Sequence, residues 1–94
     1  MNDFSNLISQ AKKMQEKMKE TQENLKKMEV EGVSGGNTVK VKLNGEGELK
    51  KITLEQTLLK EPKEIIEDLI VAAHNDAKYK LKKNIRRNFK SYWY

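Results

Sequence analysis

Phe4, Leu7, Ala11, Met14, Met18, Thr21, Leu25 and Met28 follow one another at steps of three and four without a break, and no Gly or Pro falls among them. That period predicts one uninterrupted amphipathic helix over residues 3–27, with Asn2 or Asp3 available to cap it. Such a helix is about 37 Å long at a rise of 1.5 Å per residue. Its apolar stripe suits either packing on the chain's own sheet or a helix-to-helix seam across a dimer. A seam of this length would run past a sheet built by so short a chain.

The helical period stops before Gly32, and Ser34-Gly35-Gly36-Asn37 reads as a turn between strands at about 28–33 and 38–43. In the second of these, Val39, Val41 and Leu43 alternate with Lys40 and Lys42, which is the signature of one buried and one wet face. Asn44-Gly45 marks the next turn. A strict two-residue turn would place Leu43 with Glu46 and Glu48, so a longer loop that also uses Gly47 is expected. A third strand, at about 48–54, changes parity between Leu49 and Ile52, which predicts a bulge or twist near Lys50 and Lys51.

Leu58 and Leu59 read as apolar plugs in the following connection, and Pro62 suits the first turn of a second helix over about 62–90. Glu64, Glu67 and Asp68 favour the positive end of its dipole. Along that helix Ile65, Leu69, Ala73, Ala77, Leu81, Ile85, Phe89 and Trp93 recur every four residues. Four residues exceed one 3.6-residue turn, so the stripe drifts round the helix. Ile65 to Ala73 are expected on the sheet, and the segment beyond Ala77 is expected to project from the body. The expected fold is α+β, a single domain over 1–94 with a long N-terminal helix, a three-stranded antiparallel meander and a long C-terminal helix (α-β-β-β-α).

With 94 residues, 36% apolar and 35% charged, the chain has little core to spare, and much of it must be solvated or covered by another subunit. Cys is absent, which fits a reducing cytoplasm and removes disulfides and thiolate metal sites. Residues 1–10 lack the basic start and apolar run of a signal peptide, and no run approaches the ~18 apolar residues of a membrane span. A cytoplasmic protein without membrane attachment is expected.

Catalytic chemistry has little to work with. His74 is the only His, no Ser stands in a nucleophile context, and Glu67 and Asp68 are neighbours that face apart on a helix. Gly32, Gly35 and Gly36 match neither phosphate-loop spacing. The expectation is a protein that is not an enzyme, with no cofactor, no metal and no small-molecule substrate.

The charge pattern says more. The net charge is +5, yet the seven cations from Lys78 to Lys90 meet no acid, and the preceding residues hold 12 Lys against 14 acids. Such a run is stabilised by a phosphate polymer or another anionic surface. Lys12, Lys19 and Lys26 share one heptad position on the first helix and Lys13 the next, at intervals of about 10 Å for the seven-residue step. These rows make Lys12, Lys13, Lys19, Lys26, Lys78, Lys82, Lys83, Arg86 and Arg87 the candidate phosphate contacts. Phe89, Tyr92, Trp93 and Tyr94 add stacking groups. No base-reading motif is evident, so charge and shape should dominate binding. A protein-interaction module whose seam takes a partner helix, with DNA affinity incidental, is the alternative.

Gln10-Ala11-Lys12-Lys13-Met14-Gln15-Glu16-Lys17-Met18, Gly35-Gly36 before Val39-Lys40-Val41, Asn44-Gly45, Leu58-Leu59, Glu67-Asp68-Leu69 and Ala72-Ala73-His74-Asn75-Asp76-Ala77 together resemble the bacterial YbaB/EbfC family of nucleoid-associated proteins. The resemblance runs from Leu7 to Asp76. It implies a homodimer joined through its sheets, with paired helices projecting like tweezers, that binds double-stranded DNA in the nucleoid and influences nucleoid organisation and gene expression. After Ala77 the sequence departs from the less basic helix and the Gly-, Met- and Pro-rich tail usual in that family.

Overall fold

The first helix, α1 (Asn2–Lys27), is carried by the unbroken heptad pattern, with Asp3 in its first turn and Lys26 and Lys27 in its last. Both placements complement the helix dipole. The computed structural model describes residues 2–88 of the chain. Three six-residue strands follow, β1 (Glu29–Ser34), β2 (Val39–Asn44) and β3 (Leu49–Leu54), then a 3-10 turn over Gln56–Lys60 and a second helix, α2 (Lys63–Asn88). The order is therefore α-β-β-β-α, as the sequence pattern implied.

The strands form one antiparallel sheet in the order β1-β2-β3. Gly35, Gly36 and Asn37 all take left-handed backbone angles between β1 and β2, which explains two glycines and an Asn at that turn. The β2–β3 connection is a four-residue loop built round the Asn44 side chain. Its Oδ1 accepts from the backbone N–H of Glu46 at 2.9 Å and of Glu48 at 3.0 Å, while Nδ2 donates to Glu48 Oε1 at 3.0 Å. Asn44 is thereby buried with its polar atoms satisfied. In the register Lys42 pairs with Lys51 and Leu43 with Leu49, which leaves Lys50 as the extra residue of a bulge. The bulge resolves the parity change in the sequence: Leu49, Ile52 and Leu54 share one face.

α2 lies across β1 and β2 and gives β3 little cover. Beneath it Val39, Val41 and Leu43 are completely buried, with Val30, Ala73, Ala77 and Leu81 around them and Leu58 closing one end. Gly32 permits the close approach. A Cβ there would fall 2.7 Å from the Ala77 Cβ and closer still to the backbone of Ala73 and Ala77. The glycine and two alanines thus let backbone meet backbone where a larger side chain would hold the layers apart. Three polar contacts fasten α2 to the outer edge of β1: Val33 N–H donates to Asp76 Oδ2 at 2.9 Å, Ser34 Oγ to the Leu69 carbonyl at 2.5 Å and Lys80 Nζ to the Glu31 carbonyl at 3.0 Å. The first and third occupy a backbone N–H and a carbonyl that an edge strand would otherwise present to another chain.

Several expected placements need correction. Leu58 is buried but Leu59 is exposed, because consecutive residues of a 3-10 turn point in different directions and only one can reach the core. Pro62 precedes α2, and its carbonyl accepts from the N–H groups of Ile65 and Ile66. Ile65 is exposed, and Ile66 and Ile70 pack on the core in its place. Core contact also continues beyond Ala77 to Leu81 and Ile85. The last two expected residues of this helix, 89 and 90, lie outside the described residues.

α1 touches the sheet only near its own end, where the Leu25 carbonyl accepts from Gly45 N–H at 2.7 Å. The rest projects, so the molecule measures 71 × 24 × 17 Å. Phe4, Leu7, Ile8, Met14 and Met18 are between 51% and 73% exposed, so the chain's own sheet does not cover the seam.

Candidate nucleic-acid interface

On α1, Lys12, Lys13, Lys19 and Lys26 are all exposed. The seven-residue step from Lys12 to Lys19 to Lys26 is nearly two whole turns, so the three stay on one flank at intervals of about 10 Å. Lys26 differs from the others. It stands at the β2–β3 loop, where the Glu48 carboxyl is held below its usual range chiefly by the Asn44 hydrogen bond, then by the charge of Lys50, with a smaller contribution from Lys26. Lys26 lies at the sheet end of the helix, whereas Lys12, Lys13 and Lys19 project along the free arm.

On α2 the core-facing row is Leu69, Ala73, Ala77, Leu81 and Ile85, of which the middle three are buried and the two ends half-buried. One residue on, the row Ile66, Ile70, His74, Lys78, Lys82 and Arg86 begins half-buried over the sheet and becomes exposed and cationic from Lys78 onward. A single four-residue repeat thus serves as a core edge in its first half and a charged edge in its second. The three cations are spaced by about 6 Å along the axis. Lys83 lies on the next row, with its Nζ 4.8 Å from the centroid of the Tyr79 ring, a cation–π contact that orients the ammonium along the helix surface. Arg87 continues the backbone of α2, and its side chain lies outside the described residues, as do Lys90 and the expected stacking groups Phe89, Tyr92, Trp93 and Tyr94.

Lys80 was not among the candidates, and the structure gives it a different task. It pairs with Asp76 at 3.1 Å on the opposite flank of α2 and reaches the β1 backbone. The Val33 N–H, then Lys80, hold the Asp76 carboxyl below the usual range. Sequence reasoning also passed over Lys40, Lys42 and Lys51, although the strand alternation places at least the first two on the wet face of the sheet.

The two candidate rows are not brought into one patch within a single chain, because α1 and α2 share no substantial contact. Among the described residues no group of acidic or His side chains is arranged to hold a metal ion. No helix there is long and apolar enough to cross a membrane.

Comparison with known proteins agrees with this architecture. A nucleoid-associated protein of Hyphomonas neptunium is 44% identical over 81 residues, covering 86% of this chain and 76% of its own. Another, from Afipia carboxidovorans, is 42% identical over 92 residues and covers 97% of this chain and 88% of its own. A crystal structure of an uncharacterized protein from Helicobacter pylori superposes with a TM-score of 0.77 at 29% identity, covering 96% of this chain and 95% of that one. The model of the YbaB/EbfC DNA-binding family matches residues 1–92, so the match takes in the basic segment after Ala77. The chain belongs to the YbaB/EbfC DNA-binding family.

Proposed function

We propose that this protein is a nucleoid-associated, homodimeric DNA-binding protein that holds duplex DNA by its phosphates with weak sequence preference, and thereby affects nucleoid organisation and gene expression. Residues 1–94 act as one unit in this reading, without catalysis, in the cytoplasm at the nucleoid. The observation that carries it is the exposed cationic row Lys78, Lys82 and Arg86 on α2, with Lys83 beside it; Lys12, Lys13, Lys19 and Lys26 form a second exposed set on α1, and Arg87 is a further candidate by sequence. Regularly spaced cations of this kind neutralise phosphates and release condensed counterions, and they carry no information about base identity. The family match and the names of the relatives support the same partner.

Self-association is supported by apolar surface that one chain leaves open. The α1 seam is exposed from Phe4 to Met18, and Leu49 and Ile52 on β3 are 50% and 41% exposed although they share the core face. A second copy would bury these groups and set two pairs of cationic helices in one assembly. The same seam also favours the second reading, a module that binds a partner helix without physiological DNA binding.

Duplex gel shifts across a salt series test the proposal. Each neutralised phosphate contributes about 0.9 to the slope of log affinity against log salt, so Ala at Lys82, Lys83, Arg86 and Arg87 together is expected to remove up to about 3.6 from the slope per protomer. No measurable duplex binding by the parent protein at low salt refutes the reading and leaves the helix-binding module.

A further inference from the structure

The sheet has a second face that α2 does not touch. Since α2 covers the face of Val39, Val41 and Leu43, the alternate residues of β2 and their partners look the other way. Register places Lys42 directly beside Lys51, and Lys40 beside Thr53, so that Lys40, Lys42 and Lys51 form a triangle at the centre of this open face. Lys40 and Lys51 are exposed and Lys42 is half-buried. α1 meets β2 only at the Asn44-Gly45 end and leaves the triangle uncovered.

Like charges directly opposite on neighbouring strands oppose folding, because their Cβ atoms sit about 5 Å apart. The chain answers the repulsion only in part: Glu31 on β1 stands directly opposite Lys42, while among the described residues the ion pairs, Lys63–Glu67 and Lys80–Asp76, leave the triangle out. Lys40 and Lys42 are two residues apart on one strand, roughly 7 Å, which is about two phosphate steps along the axis of one DNA strand.

From this juxtaposition we infer that the open sheet face is an additional phosphate-binding surface for duplex DNA, distinct from the helix rows, with Lys40, Lys42 and Lys51 as its contacts. The inference rests on the duplex-binding reading above. It assigns this face to the DNA backbone, and the partner's charge offsets the repulsion that the fold retains there. A second copy of the chain is a poor occupant, since a two-fold contact centred on the triangle sets lysines against lysines.

The test is a combined K40Q, K42Q and K51Q variant compared with the parent in the duplex salt series, with thermal melting and sedimentation on the same samples. The salt slope is expected to fall by up to about 2.7 for each face engaged, while the melting temperature stays level or rises as the repulsion is removed. Replacing exposed Lys60 with Gln is the control and should leave the slope unchanged. If the parent binds duplex and the triple variant keeps its full slope, the sheet-face inference fails while the helix-row reading stands. A triple variant that loses self-association in sedimentation also overturns the inference, because the face would then belong to a subunit contact. A parent that binds no duplex overturns both readings.

Discussion

Replacing Gly32 with Ala probes the contact that seats α2 on the sheet. The added methyl would meet the Ala77 Cβ at 2.7 Å, and the Ala73 carbonyl and Ala77 N–H more closely still, so no side-chain rotation can clear it. Carbon atoms pack best at about 3.5–4.0 Å, so relief needs the helix to lift by roughly 1 Å. That movement opens the layer over Val39, Val41 and Leu43, all at 0% exposure. A radial gap of about 0.5–1 Å forfeits a quarter to a half of the attraction between facing atoms. Overpacking typically costs about 1–3 kcal/mol, and a clash against helix backbone belongs at the upper end, about 3 kcal/mol. Against a total of about 5–14 kcal/mol expected for a domain of this length, the loss is large. It corresponds to a fall in melting temperature of roughly 12–24 °C. Thermal melting followed by circular dichroism at one fixed protein concentration measures it, since self-association would otherwise shift the midpoint. Gly36→Asn is the control: nothing lies within 4 Å of that position, and Asn tolerates its φ of +63°. A Gly32→Ala protein melting within about 3 °C of the parent would refute the close approach of α2 to β1.

Two further outcomes follow from the same contacts. The folded-state pKa of Asp76 is depressed by the Val33 N–H and by Lys80, so its carboxylate stabilises the fold above the ordinary aspartate value. That contribution is lost as pH falls below about 4 through the depressed value, and Asp76→Asn, which retains an acceptor for Val33, should flatten the acid limb of a melting-temperature profile. On α1, Met14→Glu with Met18→Glu places charge in a seam that is open in one chain, and sedimentation should show at least a tenfold weaker self-association with an unchanged melting profile for the isolated chain at high dilution; retention of the parent's association constant would assign the subunit contact elsewhere.

The lysines on the helices and those on the sheet differ in how readily a sequence discloses them. Lys78, Lys82, Lys83 and Arg86 stand out because no acid interrupts them, whereas Lys51 is inconspicuous until pairing sets it beside Lys42. Lys80 belongs by composition to the basic run, yet it is drawn off by Asp76 and the Glu31 carbonyl, the latter 49 residues away.

Local periodicity was enough to determine the elements. An unbroken step of three and four made α1 a helix, strict alternation made β2 a strand with one wet face, and Gly-rich clusters placed the turns, because each of these follows from backbone geometry over a few residues. Tertiary structure decided which face each element buries and against what. The four-residue stripe favours Ile65 and treats Leu58 and Leu59 alike, and only the position of α2 over β1 and β2 selects Ile66 and Leu58. The same long-range packing leaves the α1 seam uncovered, gives Asp76 its partner across 43 residues and closes Gly32 against two alanines. Such contacts join segments far apart in the chain, so their geometry is settled only when the layers meet.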